Sequence, residues 1–413
     1  MKGSCLVLQS GGPTCVINSS LAGVIDQALL EKKHITNIYG SLNGINGILE
    51  DNLIDLKKEN KKEIKNLLYT PSAALGSARH LLPSDYNDEK YNILLSQFNK
   101  YDIRFVFVIG GNDSMDSASK LHSFCESRNY KCNVVGVPKT IDNDLIDTDH
   151  TPGYGSAAKY IATTFAEIEA DITCYAKGRV TVVEVMGRDA GWLTAASKLA
   201  CLSLNGPDLI YLPEHLFDEE KFLKDVTEIY SKKKKVLVAI SEGIKALNGQ
   251  YLIEKYANNS SNDAFGHVQL GGCAAIITNL VSKNLDLPTR SVELNLPQRC
   301  ASHLASKADI KEAYNCGKNA VKQAICNKSN IMISMHRKND KKYKVEYATY
   351  PLNMVANKIK YFPKEWIING NDISNEFLDY ALPLIKGDIK RKSINGVPLF
   401  AKLKKEKINI KKD

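Results

Sequence analysis

The sequence alternates short runs of apolar, mostly β-branched residues with longer stretches of helical spacing, and this alternation limits the chain to an α/β fold. The apolar runs end at or near glycine or proline, which is typical of strands that enter turns. Their nearly continuous apolar character predicts parallel strands covered on both faces. The clearest runs are residues 5–9, 104–110, 133–137, 179–185, 207–212 and 235–241.

The stretches between these runs have the spacing of helices. In residues 156–171, Ile161, Phe165 and Ile168 recur on one face, which predicts a stripe packed in the core. Residues 219–234 begin with acidic side chains and end with lysines, an order that the helix dipole favours. Ligands of open parallel α/β folds bind beyond the carboxyl ends of the strands, so the residues that follow each strand are the first candidates for a site.

Two of these strand ends carry paired glycines. In QSGGPTCVINSS (9–20), the turn out of the first strand leaves backbone N–H groups able to bind a phosphate oxygen, although a tight turn alone would have the same sequence. In IGGNDSMDSASKL (109–121), a similar turn is followed by acids at Asp113 and Asp116. Either acid could simply cap the following helix, because helix N-termini favour negative charge.

The third strand end, VVGVPKTIDNDL (134–145), brings Lys139, Asp142 and Asp144 within six residues. In an extended segment, residues two apart point the same way, so Asp142 and Asp144 are predicted to share a side. They could divide the roles of general base and magnesium ligand. Alternatively, Asp144 could only orient the turn through a local hydrogen bond.

Composition excludes several other classes. The 413 residues carry a formal net charge of +9, but the lysines are scattered or in short runs such as 232–235, without a nucleic-acid-binding motif. The ten cysteines form no CxxC pair and no metal-ligand spacing, which predicts reduced thiols and a cytoplasmic protein. No window approaches 18 apolar residues, so neither a membrane span nor a membrane partner is expected.

Four motifs in this order give the chain a family resemblance: LGSARH (75–80), GGNDS (110–114), PKTIDND (138–144) and VEVMGRDAGWL (183–193). Together they resemble the phosphofructokinase family, from the first strand to about residue 325. The resemblance implies two Rossmann-like three-layer α/β lobes with parallel sheets and an active site in the cleft. Residues 1–145 with 268–325 would form the phosphoryl-donor lobe, and 146–267 with 326–413 the sugar-phosphate lobe and a C-terminal extension, loose beyond about 400.

Two positions make the chain similar to the shorter pyrophosphate-dependent members of that family. Asp113 and Lys139 stand where ATP-using members typically have glycine. A carboxylate at position 113 would repel the α-phosphate of a nucleotide, whereas Lys139 offers a charge to pyrophosphate. The resemblance further implies that Gly12, through its N–H, and Arg79 hold the donor phosphates, although Arg79 could also be a surface arginine.

The implied reaction is reversible transfer of a phosphoryl group from magnesium pyrophosphate to the 1-hydroxyl of fructose 6-phosphate, in glycolysis and gluconeogenesis. Asp142 would be the base, and Asn112 and Asp144 would bind Mg²⁺. In this family the arginine at the position of Arg179 usually contacts the neighbouring subunit's site, so a homodimer or homotetramer is expected. The sugar phosphate would contact Thr140, Ile141, Asp142, Arg179, Met186, Gly187, Arg188, Glu242, Gln298 and Arg299.

The chain also departs from the family pattern. Leu270 replaces an arginine that grips the 6-phosphate in ATP-type members, and Arg299 and His267 are the candidates to replace it. Asn112 stands where those members keep an acid, so metal binding is expected to be weaker but retained. Two alternatives therefore stay open: an ATP-dependent 6-phosphofructokinase and a non-catalytic sugar-phosphate-binding protein.

Overall fold

The structure of the protein, a computed structural model, describes residues 1–256, 270–338 and 342–408. Its strands are β1 Gly3–Gln9, β2 Ile35–Ser41, β3 Leu53–Asp55, β4 Ile103–Gly110, β5 Asn133–Pro138, β6 Arg179–Val185, β7 Leu209–Tyr211, β8 Lys235–Ser241, β9 Thr289–Glu293, β10 Ile331–Arg337, β11 Val345–Pro351, β12 Ile367–Ile368, β13 Asp372–Ile373, β14 Ser393–Ile394 and β15 Val397–Pro398.

The helices are α1 Ile17–Leu30, α2 Asn46–Leu49, α3 Lys61–Asn66, α4 Glu89–Lys100, α5 Asn112–Ser127, α6 Tyr154–Thr173, α7 Trp192–Ala195, α8 Glu219–Lys233, α9 Leu252–Tyr256, α10 Cys273–Leu285, α11 Pro297–Cys300, α12 Lys307–Ile325, α13 Leu352–Val355 and α14 Asn375–Ala381. None of the helices within the described ranges is long and apolar enough to cross a membrane.

The larger strands form two sheets. The first has seven strands in the order β11-β10-β5-β4-β1-β2-β3, with parallel pairing from β10 to β2 and antiparallel strands at both edges. The second has four parallel strands in the order β7-β8-β6-β9. All six strands predicted from the apolar runs are present, and the predicted α/β class with parallel sheets is confirmed.

The inner strands of each sheet are buried on both faces, as the continuous apolar runs predict. In β1, Cys5 and Val7 pack into one core cluster and Leu6 and Leu8 into another on the opposite face. In β6, Val183 and Val185 belong to a different cluster from Val180 and Val182. The predicted stripe of helix α6 is also packed in the core, with Ile161 and Phe165 fully buried.

The predicted division of the chain into lobes needs two corrections. Strand β9 and helix α10, assigned to the first lobe, belong with the four-stranded sheet instead. Strands β10 and β11, assigned to the second lobe, extend the seven-stranded sheet beside β5. The predicted boundaries follow from the family resemblance, whereas the pairing of these strands depends on contacts between residues that are distant in the chain.

The end of the chain is ordered as far as residue 408, contrary to the expectation of a loose tail. Lys407 bridges Ile54 in antiparallel fashion, and Ile408 N–H donates to Leu53 O at 3.2 Å. The Glu59 carboxylate accepts from the backbone N–H groups of Lys404 and Lys405, both at 2.8 Å. The tail therefore covers the exposed edge of β3, which an unpaired strand would otherwise offer to other chains.

Candidate active site

One cavity of about 440 Å³ lies where the carboxyl ends of β1, β4 and β5 face those of β6 and β8. This position agrees with the rule that ligands of parallel α/β folds bind beyond the strand ends. The cavity is lined by Gly11, Gly12, Pro13, Arg79, Gly111, Asn112, Asp113, Ser114, Lys139, Thr140, Ile141, Asp142, Asp144, Met186, Arg188, Asp189, Ala190, Glu242, Arg299, Asn357 and Ile359.

The turn after β5 supplies the central polar groups. Asp142 is held by Thr140, whose hydroxyl accepts from the Asp142 N–H at 3.1 Å and lies 3.4 Å from a carboxylate oxygen. The segment is not extended as predicted, because Asn143 adopts a left-handed conformation with φ of 55°. Asp142 and Asp144 nevertheless both line the cavity, on either side of the turn at Asn143.

Lys139 points from this turn toward the first glycine loop. Its Nζ donates to the carbonyl of Gly12 at 2.5 Å, and its side chain is only 2 % exposed. Burial lowers the Lys139 pKa to about 8, with a further lowering from Arg299, although the nearby Asp142 opposes the shift. The ammonium thus lies at the glycine loop and lines the cavity, in a position to attract an anion.

The two carboxyls of the turn have shifted pKa values. Burial raises the Asp142 pKa, against the stabilising charges of Lys139 and Arg299. Burial and the neighbouring Asp142 raise the Asp144 pKa to about 7. The buried Oδ1 of Asp144 has no hydrogen-bond partner in the described structure. Asp144 also lines the cavity, so its carboxylate is a group that a cation or a hydrogen-bond donor bound there would satisfy.

The first lobe places further charges around the same space. Asp113 lies in the first turn of α5, as a helix N-terminus favours. Arg299 approaches the glycine loop so closely that a Cβ added to Gly12 would lie 3.2 Å from its Nη1. Burial and the positive charge of Arg79 lower the Arg299 pKa. Two arginines and Lys139 therefore face one glycine loop, an arrangement suited to phosphate oxygens.

The second lobe contributes the residues that follow β6 and β8. Met186, Arg188 and Glu242 line the cavity. Glu242 accepts from the Gly187 N–H at 3.2 Å, and burial raises its pKa. The buried Gln298 accepts from the Met186 N–H at 3.0 Å, so Gly187 and Gln298 shape the backbone around the cavity without lining it.

Arg179 is the predicted site residue that the structure places farthest from the cavity. It begins β6, whose other end leads to Met186, and seven strand residues span about 20 Å. Within one chain it cannot reach the cavity. His267, the other candidate for replacing the missing arginine, lies outside the described residues.

Asn112 lines the cavity, but its side chain is already engaged. The amide oxygen accepts from the Asn357 N–H at 2.6 Å, and Nδ2 donates to the Lys358 carbonyl at 2.5 Å. These two hydrogen bonds fix the orientation of the Asn112 amide, and its predicted role as a magnesium ligand would use the second lone pair of the same oxygen. Among the described residues, no group of three or more His, Cys, Asp and Glu side chains is arranged to hold a metal ion.

Sequence reasoning missed the contribution of residues after 350. Asn357 and Ile359 line the cavity, yet they follow α13 in a stretch with no recognisable motif. Asp189 and Ala190 also line the cavity, and the sequence offered a signal for them because both lie within the VEVMGRDAGWL motif.

A tyrosine of α14 forms hydrogen bonds with the β5 turn and the segment that follows it. Asn143 donates from Nδ2 to the Tyr380 hydroxyl at 2.8 Å and accepts from the Thr151 N–H at 2.9 Å. The Tyr380 hydroxyl in turn donates to the Asp149 carbonyl at 2.8 Å. The left-handed Asn143, which separates the two cavity aspartates, is thus held by the C-terminal region.

Tyr380→Phe is expected to lower kcat about 3- to 10-fold, with a smaller change in the KM values, because one hydrogen bond that orients the turn is worth about 1 kcal/mol. Steady-state kinetics with both substrates would check this. The matched control is Tyr361→Phe, since Tyr361 is an exposed tyrosine of the same region. Equal kinetics for Tyr380→Phe and wild type would contradict a positioning role.

A buried histidine joins the β5 turn to α12. His150 lies 2.8 Å from carboxylate oxygens of both Asp149 and Glu312, and Tyr343 donates to Glu312 at 2.7 Å. Burial lowers the His150 pKa, but the charges of Glu312 and Asp149 outweigh it and raise the pKa to about 9. The folded protein therefore holds His150 as a cation between two carboxylates.

This arrangement predicts how stability changes in alkali. The folded pKa lies above the unfolded value, so the contribution of His150 is fully present below pH 6.5 and is lost as pH rises through about 9. The loss is on the order of 3 kcal/mol. Denaturant unfolding of wild type and His150→Gln, compared at pH 6 and pH 9, would measure it. An equal pH dependence in both proteins would contradict this assignment.

Comparisons with known proteins agree with the geometry. A family model described as Phosphofructokinase matches residues 4–288. A pyrophosphate–fructose 6-phosphate 1-phosphotransferase of Halomonas elongata is 38% identical over 408 residues, covering 98% of this chain and 96% of that protein. A sulfofructose kinase of Alkalicoccus urumqiensis is 32% identical over 377 residues, covering 91% and 94%. The crystal structure of a pyrophosphate-dependent phosphofructokinase from Nitrosospira multiformis has a TM-score of 0.90 and 34% identity, covering 100% of this chain and 99% of that one.

Proposed function

The chain belongs to the phosphofructokinase family, and from this membership we propose that it is a diphosphate–fructose-6-phosphate 1-phosphotransferase. It transfers a phosphoryl group reversibly from pyrophosphate to the 1-hydroxyl of fructose 6-phosphate, giving fructose 1,6-bisphosphate and phosphate. The observation that carries the proposal is the pairing of Lys139 and Asp113 in the cavity, where ATP-using members of the family typically have two glycines.

The donor binds at the glycine loop of the first lobe. Gly12 offers its backbone N–H, while Arg79 and Lys139 supply positive charge to the phosphate oxygens. The Asp113 carboxylate repels any phosphoryl donor that carries further negative charge toward α5. Phosphoryl transfer needs chiefly positioning and charge stabilisation, and these residues provide both.

The acceptor binds against the second lobe. Thr140, Met186, Arg188 and Glu242 surround the sugar, and Arg299, although its Nη1 also lies close to Gly12, is the candidate to bind the sugar's phosphate in place of the arginine missing at Leu270. Asp142 accepts the proton of the 1-hydroxyl. Burial raises its pKa toward the working pH, which makes it a better base than an exposed aspartate.

Magnesium fits the β5 turn. Asp144, which lines the cavity, is a carboxylate of the kind that binds Mg²⁺ together with substrate phosphates and water. When bound there, Mg²⁺ would neutralise charge on the phosphoryl group being transferred. Asn112 would complete this site through the second lone pair of its amide oxygen, which already accepts from the Asn357 N–H.

The proposal includes assembly into a homodimer or homotetramer. Arg179 lies at the far end of β6 from its own cavity, which suits the family role in which this arginine serves a neighbouring subunit. The same proposal places the enzyme in the cytoplasm, where thiols remain reduced, since all ten cysteines are free.

The test supplies the purified full chain with fructose 6-phosphate and Mg²⁺, and with pyrophosphate or ATP in parallel, while fructose 1,6-bisphosphate is measured. We expect turnover with pyrophosphate, and we expect added phosphate to reverse the reaction. Turnover with ATP alone would favour the ATP-dependent alternative. Binding of fructose 6-phosphate without turnover of either donor would favour a non-catalytic protein.

A further inference from the structure

Residues 357–360, which we call the strap, cross the cavity between the two lobes. They follow α13, and Asn357 and Ile359 of the strap line the cavity beside Asn112 and Asp113. The proposed roles of the donor and acceptor residues do not use the strap. Its position beside the donor half nevertheless means that it limits the space there.

The first anchor of the strap is the N-terminus of α5. Asn112, the first residue of that helix, is hydrogen-bonded through its amide oxygen to the Asn357 N–H and through Nδ2 to the Lys358 carbonyl. Asn357 also donates from Nδ2 to Asp116 at 3.2 Å. Three hydrogen bonds thus attach the strap to the first turns of the helix that carries Asp113.

The second anchor is Lys360, at the other end of the strap. Its N–H donates to the Asp144 carbonyl at 2.8 Å, and its own carbonyl accepts from Trp192 Nε1 at 2.9 Å. Its Nζ donates to the carbonyls of Thr148 and Asp149 at 3.0 and 2.5 Å. The strap is therefore tied to the β5 turn and to the second lobe as well as to α5.

We propose that the strap sets the maximum length of the phosphoryl donor, by closing the donor half of the cavity beside Asp113. This inference rests on the proposed function and adds a steric limit to the charge repulsion of Asp113. The cavity of about 440 Å³ must hold two phosphorylated substrates, although it lies near the small end of the roughly 300–1,000 Å³ typical of ligand pockets. Asn357 and Ile359 of the strap form part of the cavity wall beside Asn112 and Asp113, so the strap bounds the room that a third phosphate would need.

Asn357 can be replaced by glycine without disturbing the backbone of the strap. Its φ of 61° is left-handed, so glycine can replace it without backbone strain, and the N–H that bonds Asn112 remains. The test variant combines Asn357→Gly with Ile359→Ala, which shortens the side chains of the two strap residues that line the cavity. Asn395→Gly is the matched control, because Asn395 has a φ of 50° in an exposed hairpin turn.

The experiment measures binding of inorganic diphosphate and inorganic tripolyphosphate by calorimetry, with the full chain and Mg²⁺. Wild type and the control are expected to bind diphosphate more tightly than tripolyphosphate. In the strap variant the ratio of the diphosphate affinity to the tripolyphosphate affinity should fall at least about tenfold, a change of about 1.4 kcal/mol. The affinity for fructose 6-phosphate should stay unchanged. Asn357→Gly alone provides a milder variant if thermal unfolding shows that the double variant is unstable.

Equal binding of the two polyphosphates by wild type would overturn the proposal, as would an unchanged preference in both strap variants. Because the readout is binding, it does not depend on turnover. An enzyme that proves to use ATP would refute the proposed function. An enzyme that uses pyrophosphate, but whose preference for diphosphate over tripolyphosphate is the same with and without the strap side chains, would refute only the role of the strap.

Discussion

Replacing Asp142 with asparagine is expected to lower kcat by about 10²–10⁴-fold, the usual contribution of a positioned general base. Asparagine keeps the shape of the side chain and cannot take the proton of the 1-hydroxyl. The Thr140 hydroxyl that accepts from the backbone N–H of residue 142 remains, so the turn should keep its conformation. The affinity for fructose 6-phosphate, measured by calorimetry, should change little.

Asp147→Asn is the matched control for this variant. Asp147 follows the same turn, is exposed, and has a φ of 56° that asparagine accepts. Its kinetics should equal those of wild type. If Asp142→Asn kept more than about a tenth of the wild-type kcat, a smaller loss than removal of a general base causes, Asp142 would not be the base.

The second large effect is expected from Asp113→Gly combined with Lys139→Gly. Loss of the Lys139 ammonium should lower kcat/KM for pyrophosphate by about 10–100-fold, because a hydrogen bond to a charged group contributes about 1.5–3 kcal/mol. Loss of the Asp113 carboxylate removes the repulsion that a nucleotide would meet. Measurable ATP binding is therefore expected in the double variant, by calorimetry with Mg²⁺.

The two single variants separate these causes. Lys139→Gly alone should lose pyrophosphate use without gaining ATP binding, and Asp113→Gly alone should retain most pyrophosphate use. Adding Asn357→Gly to the double variant should increase ATP binding further if the strap also limits donor length. Unchanged pyrophosphate turnover together with no detectable ATP binding in the double variant would show that neither residue selects the donor.

The core of the site could be predicted because its residues are local to strand ends. Lys139, Thr140 and Asp142 follow β5 within four residues, and Asp113 follows β4 within three. Parallel strands of one sheet end at the same edge, so side chains that follow neighbouring strands must converge there. Met186 and Glu242, which follow β6 and β8 of the other sheet, are predicted only by the family resemblance, and both line the cavity.

The failures have a different origin. The expected extended shape at Asn143 was wrong because tertiary hydrogen bonds to Thr151 and Tyr380 hold that residue in a left-handed turn. The motif that contains Asn112 likewise does not predict the partner of its side chain. The structure pairs this side chain with Asn357, 245 positions away in the chain. No pattern near Asn112 carries that information.

The sequence by itself determined the α/β class, the parallel strands and the polar groups at their ends, because hydrophobic periodicity and turn residues act over a few neighbouring positions. Only the tertiary structure decided that β10 and β11 join the first sheet, that the tail covers β3, and that the strap enters the cavity. Those features depend on pairing between segments distant in the chain. Such pairing is selected by packing of the whole molecule rather than by local preference.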